Sequence, residues 1–190
     1  MIKRCKIQIG YDFLILIAIL YILDTENLLW LSLLAAGLHE LGHITAMIFL
    51  KVPITEFRLS VFGACITAEN PSSISYRKEF LIALSGPLVG FIVSVISAKC
   101  HAFVFSGVNF SLSIVNMIPI PPLDGGRVLR SVLGCFLPIH VMDVVFRWIG
   151  VCIALTLVIV SLVFSATAQC RITLILFSAF FLYRVFMNID

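Results

Sequence analysis

The pentapeptide His39-Glu40-Leu41-Gly42-His43 brings two imidazoles and a carboxylate into one short segment. Residues four apart lie on the same face of an α-helix, so His39 and His43 can bind one metal ion. Imidazole nitrogens are common zinc ligands, and an adjacent glutamate can act as the general base toward a water molecule. The motif therefore predicts a zinc hydrolase in which His39 and His43 bind the metal and Glu40 is catalytic.

The surroundings of this motif are strongly apolar. The stretch from Leu28 to Leu50 contains no ionisable residue other than the three of the motif. An ionisable group at the centre of a bilayer costs about 2.5–3.5 kcal/mol on insertion scales. The alternative is a polar contact between two helices, but three such groups at ligand spacing favour a metal site inside a membrane.

A third protein ligand is expected, because zinc hydrolases usually bind the metal through three side chains and leave one position for water. The candidates are His101, His140 and Asp124. Asp124 follows a segment with three prolines, 119–122, which prevents a helix from continuing. It precedes two glycines, 125–126, which predict a flexible turn. Non-helical backbone at membrane depth occurs where protein or a water-filled cavity surrounds it. This position favours Asp124, with a helix cap as the alternative and compatible role.

The composition requires lipid as part of the solvent. Of the 190 residues, 61% are hydrophobic and 12% are charged, and the mean hydropathy is +1.14. Average soluble domains are about half apolar and about one quarter charged. A net charge of +3 is too small to indicate nucleic-acid binding, and none of the six cysteines has the C-x-x-C spacing of a zinc knuckle or redox motif.

The hydropathy pattern predicts an all-α polytopic membrane protein with about six transmembrane helices in a single domain, 1–190. A span needs about 20 apolar residues. A small membrane-associated β-hairpin is predicted after the second helix, because polar and apolar residues alternate over 55–67 around Gly63. The six predicted spans are approximately 9–23, 28–50, 80–98, 102–120, 148–164 and 172–189.

The distribution of basic residues predicts that both termini are cytoplasmic. Cytoplasmic loops of membrane proteins are enriched in Lys and Arg. With six spans and a cytoplasmic N-terminus, eleven of the 13 basic residues fall inside, and Lys99 and Arg171 fall outside. The active-site helix and Asp124 then both lie in the cytoplasmic half of the membrane.

These motifs resemble the site-2 protease family of intramembrane zinc metalloproteases. The matching elements are the membrane-embedded 39–43 motif, Ser85-Gly86-Pro87 in the third span, and the broken segment from Asn116 to Gly126. The resemblance implies zinc bound by His39, His43 and Asp124, with Glu40 activating water. It also implies that Asn116 contacts the substrate or the reacting carbonyl.

Within that family, the pattern looks most like the stage IV sporulation factor FB type, here without CBS or PDZ domains. The resemblance implies a multi-pass protein of the bacterial cell membrane that cuts a membrane-anchored protein, such as a pro-sigma or anti-sigma factor, within or near the cytoplasmic side of the bilayer. No nucleic acid is expected as a partner; a homo-oligomer or regulatory membrane partners are compatible with it.

Two other functions fit parts of the sequence. A catalytically silent membrane-protein binding module of the same fold would lack a catalytic residue, and none is missing. A metal transporter would place polar residues along several helices, and the third and fifth spans carry almost none.

Overall fold

The computed structural model describes residues 6–60, 63–68 and 74–165. The chain divides into two compact units, Met1–Ile114 and Val115–Asp190. Unit one contains β1 (Lys6–Ile9), α1 (Tyr11–Leu23), α2 (Leu28–Phe49), β2 (Ile54–Ser60), β3 (Gly63–Ala68), α3 (Tyr76–Lys99) and most of α4 (Phe103–Asn116). Unit two contains the end of α4, α5 (Asp124–Phe136) and α6 (Ile139–Ser165).

Within the described residues, three helices are long and apolar enough to cross a membrane. They are Leu28–Phe49, Tyr76–Lys99 and Ile139–Leu162, and Tyr11–Leu23 and Phe103–Asn116 are shorter apolar helices. The membrane character is thus confirmed in this coarser form, whereas the count of six spans stays a prediction. The predicted sixth span, 172–189, lies outside the described residues, and the single domain over 1–190 also stays a prediction.

The first predicted span begins later than the apolar pattern indicated, because residues Lys6–Ile9 form strand β1. The chain turns at Gly10, whose N–H donates to the carbonyl of Leu59 at 2.9 Å. Helix α1 then begins at Tyr11 and has 13 residues. None of the described residues of α1 is buried, so this helix presents apolar side chains on every side.

The small sheet has the strand order β1-β2-β3. Strands β2 and β3 pair antiparallel, from Ser60 opposite Gly63 to Ile54 opposite Ala68. Strand β1 pairs parallel to β2 and brings Ile9 opposite Leu59, a pairing that the alternating pattern of 55–67 did not predict. Strand β2 is therefore central, with both of its edges occupied. The membrane association of this sheet stays a prediction.

Both ends of α2 are held by side chains from neighbouring segments. The two carboxylate oxygens of Asp24 accept the N–H groups of Leu28 and Leu29, each at 2.9 Å. At the other end, Nζ of Lys78 donates to the carbonyl of Leu50 at 3.0 Å. The first N–H and last C=O groups of a helix have no partner within it, and a negative charge at the start and a positive charge at the end stabilise it.

Helices α2 and α3 pack closely where both carry glycine. A β-carbon on Gly42 would lie 2.8 Å from the carbonyl oxygen of Ser85 and 3.1 Å from the α-carbon of Gly86. Small residues of this kind let helix backbones approach closely in membranes. Residues Ser85, Gly86 and Val89 of α3 therefore pack against Gly42 on the helix that carries the histidines.

In unit two, α4 ends at Asn116, and the proline-rich segment after it is not helical, as predicted. The two glycines, however, belong to α5 and do not form a flexible turn. A β-carbon on Gly126 would lie 2.8 Å from the carbonyl oxygen of Ile120, and one on Gly125 would overlap the carbonyl of Met117. Glycine is required here because the broken segment packs directly on the first turn of α5.

Candidate metal centre

The side chains of His39 and His43 meet on the buried face of α2. Each residue is 4% exposed, and their Nε2 atoms lie 3.2 Å apart. In a tetrahedral zinc site with Zn–N distances of about 2.0–2.1 Å, two nitrogen ligands are roughly 3.3 Å apart. The separation of the two Nε2 atoms therefore fits one shared zinc ion.

The ring of His43 is oriented by a backbone contact from α3. Its Nδ1 lies 2.7 Å from the carbonyl oxygen of Ile82, and because a carbonyl can only accept, Nδ1 must donate. In a neutral imidazole the other nitrogen, Nε2, then carries the lone pair that binds metal. Such an outer hydrogen bond fixes the tautomer and orientation of a histidine ligand.

The carbonyl of Ile82 accepts a second hydrogen bond besides that from His43, from the hydroxyl of Ser85 at 2.6 Å. It lies one residue before the carbonyl of Ala83, which has no helical donor four residues later because Pro87 carries no N–H. The carbonyl that orients His43 therefore accepts from two side chains, one on each helix.

Gly86 leaves open the volume in front of the two histidine nitrogens. A β-carbon there would overlap Nε2 of His43 and would lie 2.9 Å from Nε2 of His39. The Ser85-Gly86-Pro87 motif singled out Gly86, but not its contact with the metal-binding atoms. The signal that could have indicated this contact is a glycine directly before a proline in the helix that follows the histidine motif.

The predicted catalytic residue, Glu40, follows His39 directly on α2 and is partly exposed. Its carboxylate is therefore carried by the same helical turn as the metal-binding pair. Asn116 is the last residue of α4 and is also partly exposed. The substrate-contacting role of Asn116 stays a prediction.

In unit two, Asp124 is the first residue of α5, and its side chain is 10% exposed. The position that caps this helix is Leu123, so the alternative role of Asp124 as the helix cap is wrong by one residue. A carboxylate oxygen of Asp124 lies 3.5 Å from a guanidinium nitrogen of Arg127. The other two candidate ligands, His101 and His140, are exposed.

The chain is similar to known proteases in sequence and in fold. Residues 97–159 match Peptidase family M50. A solved structure, the site-2 protease from Methanocaldococcus jannaschii, shares the fold with a TM-score of 0.69 at 24% identity, covering 100% of this chain and 93% of that one. The resemblance to the site-2 protease family is confirmed.

The alignments with curated relatives of this site-2 protease homologue include most of the residues of this chain. Stage IV sporulation protein FB of Bacillus subtilis is 32% identical over 138 residues, which are 67% of this chain and 48% of the relative. A zinc metalloprotease of Methanocaldococcus jannaschii is 28% identical over 70% of this chain and 44% of its own length. The homologue thus spans about half the length, or less, of the curated relatives that it matches.

Proposed function

We propose that this protein is a zinc-dependent intramembrane metalloendopeptidase. The observation that carries the proposal is the buried pair of Nε2 atoms of His39 and His43, 3.2 Å apart on an apolar helix long enough to cross a membrane. Zinc is supported by the name of the Methanocaldococcus jannaschii relative, a zinc metalloprotease, and by the separation of the two nitrogens.

Asp124 is proposed as the third ligand. Its carboxylate is nearly buried at the start of α5, whereas His101 and His140 are exposed. Carboxylate oxygens are zinc ligands in proteins, and the ion pair with Arg127 at 3.5 Å is compatible with that role. The site would then consist of two imidazoles and one carboxylate, a ligand set that catalytic zinc sites use.

The remaining chemistry is assigned to residues of the chain itself. Zinc held by this set would acidify water and polarise the scissile carbonyl. The carboxylate of Glu40 would accept a proton from the attacking water and pass it to the nitrogen of the leaving amine. The hydrogen bond from His43 to Ile82 keeps that imidazole in the ligand tautomer. The side-chain amide of Asn116 would donate to the carbonyl oxygen as negative charge develops.

The proposed substrate is a membrane-associated or single-span protein, cut within or near the cytoplasmic side of the bilayer. A transmembrane helix has its carbonyls in hydrogen bonds, so the substrate must unwind locally, and the sheet of unit one could pair with the unwound strand. Because β1 and β3 occupy both edges of β2 in the described sheet, the pairing edge would belong to an outer strand. A pro-sigma or anti-sigma factor is the substrate class favoured by the family resemblance.

The proposed location is the bacterial cell membrane, with several spans and both termini in the cytoplasm. The excess of basic residues in the predicted inner loops supports this orientation. Regulatory membrane partners or a second copy of the chain are compatible with the fold, and they would act on the same bilayer-embedded site.

The decisive experiment is a cleavage assay in lipid vesicles with candidate membrane-anchored substrates, comparing wild type with Glu40→Gln. Glutamine keeps the size of the side chain but cannot accept the proton, so cleavage should stop while bound zinc is retained. Undiminished cleavage by Glu40→Gln would remove this residue from the mechanism. Binding without cleavage by the zinc-loaded wild type would instead support the silent binding module.

A further inference from the structure

A row of small and polar residues lies between α3 and α4, on the side of α3 that continues from Gly86. We call this row the α3–α4 seam. Five of its six described members are buried, Ser106 is partly exposed, and none carries a charge. They are Gly90, Ser94 and Ser97 on α3, and Ser106, Asn109 and Ser113 on α4.

Two contacts hold the seam together. The hydroxyl of Ser106 donates to the carbonyl of Ser94 at 2.8 Å, and the hydroxyl of Ser94 lies 2.9 Å from the carbonyl of Ser106. Further along α4, Ser113 packs closely on Gly90 of α3. A β-carbon on this glycine would overlap the serine hydroxyl. These contacts are sufficient to explain why the two helices pack together.

Asn109 lies between these contacts and is 0% exposed. Its side-chain Nδ2 donates to the carbonyl of Phe105 on its own helix at 2.9 Å. Its Oδ1 atom is buried and has no hydrogen-bond partner among the residues that the structure describes. A buried acceptor left without a donor is costly, and close packing alone would be better served by an apolar side chain at this position.

Asn109 packs next to Gly90 on α3, one helical turn from the glycine that faces the histidine pair. The backbone oxygen of Asn109 would lie 3.5 Å from a β-carbon on Gly90. Gly90 follows Gly86, which faces the metal-binding nitrogens, by four residues, or about 6 Å along the helix. The backbone of Asn109 therefore packs about one helical turn along α3 from Gly86, the residue that faces the histidine pair.

We propose that Oδ1 of Asn109 binds an ordered water molecule in the α3–α4 seam, and that this water supplies the hydrolytic site. Water is the smallest donor that satisfies a lone buried acceptor, and buried waters in proteins occupy such places. Each cleaved peptide bond consumes one water, whose oxygen joins the carbonyl carbon while its protons pass to the new carboxyl and amine groups. The supply role rests on the proposed protease function, whereas the binding site does not.

Magnetisation transfer from water, measured by solid-state NMR on the full chain in lipid bilayers, tests the binding site directly. Asparagine and valine are labelled with ¹⁵N. The side-chain amide of Asn109 should receive magnetisation from water as rapidly as that of Asn27, which is exposed before α2. Transfer as slow as that to the backbone amide of Val95, on the exposed face of α3, would overturn the proposal.

The supply role is tested by cleavage rates at full zinc occupancy. Asn109→Leu preserves the volume but removes the acceptor, and it should lower kcat without loss of zinc. Asn109→Ser retains an acceptor and should be less impaired, and Phe110→Leu, at an exposed neighbouring position, should cleave as wild type does. An unchanged rate in a folded Asn109→Leu variant would refute the supply role. If wild type cleaves nothing, the protease proposal fails, and the NMR result still decides the water site.

Discussion

Gly86 on α3 lies so close to His43 on α2 that a β-carbon on the glycine would overlap the Nε2 atom of the imidazole. Gly86→Ala should therefore displace the ring or fill the volume next to it, and the purified protein should lose most of its zinc. The matched control is Gly107→Ala on α4, where a β-carbon meets nothing within 4 Å. Metal analysis measures both variants, and stoichiometric zinc in a folded Gly86→Ala protein would contradict the proposed site.

Asp124→Asn should weaken zinc binding by at least about 10-fold, since even residues that only support metal ligands contribute 10–100-fold. Zinc affinity is measured by competition with a chelator. Asp143→Asn is the control, because Asp143 is also an aspartate paired with an arginine, at 3.1 Å from Arg130, but its side chain is 44% exposed. Equal zinc affinities in the two variants would exclude Asp124 as a ligand.

Lys78→Met should destabilise the end of α2. The variant removes the hydrogen bond from Nζ to the carbonyl of Leu50, and a bond of this kind contributes about 0.5–1.5 kcal/mol, with the lower end expected for an exposed lysine. Thermal unfolding in detergent should show a lower midpoint for Lys78→Met than for Arg77→Met, an exposed basic neighbour. A larger loss in Arg77→Met would show that this contact does not stabilise the helix end.

Reporter fusions after Glu26, Glu69 and Ala168 should read outside, inside and outside, respectively. The expectation follows from the excess of Lys and Arg in the predicted cytoplasmic loops. Fusions that report enzymatic activity on only one side of the membrane make the measurement. An outside signal after Glu69 would invert the topology and place the proposed active site near the opposite face.

Proline substitutions in β3 should show whether its outer edge holds the substrate. Successive N–H groups of a strand point to opposite edges, so of Cys65→Pro and Ile66→Pro one removes a donor toward β2 and the other a donor from the free edge. The variant that removes the donor from the free edge should reduce cleavage, while bound zinc and the sheet are retained. If neither variant lowers the cleavage rate, the substrate is held elsewhere, most naturally by the segment after Asn116.

The metal-binding pair was predictable because its chemistry is local. His39 and His43 are four residues apart on one uninterrupted apolar helix, so their spacing alone places both rings on the same face. The end of α4 was predictable for a similar reason, since consecutive prolines remove donors that a helix requires.

The features that the sequence did not reveal depend on contacts between segments distant in the chain. The parallel pairing of β1 with β2 joins residues about fifty positions apart, and Lys6–Ile9 alone is too short to show a strand period. The helical state of Gly125 and Gly126 was missed because glycine disfavours helices intrinsically. Only the backbone packing of Ile120 against them explains their presence.

The direct connection between the first helix and the sheet predicts that the protein is sensitive to bilayer thickness. Helix α1 has 13 residues, a rise of about 20 Å, whereas a bilayer's hydrocarbon core is about 30 Å thick. As the predicted first span, a helix that short would have to thin the surrounding lipid. Because Gly10 joins α1 directly to strand β1 and donates to Leu59 on β2, any such displacement pulls on the sheet. Lipids with longer acyl chains would therefore displace α1 and, through Gly10, the strands that precede and follow the histidine-bearing helix.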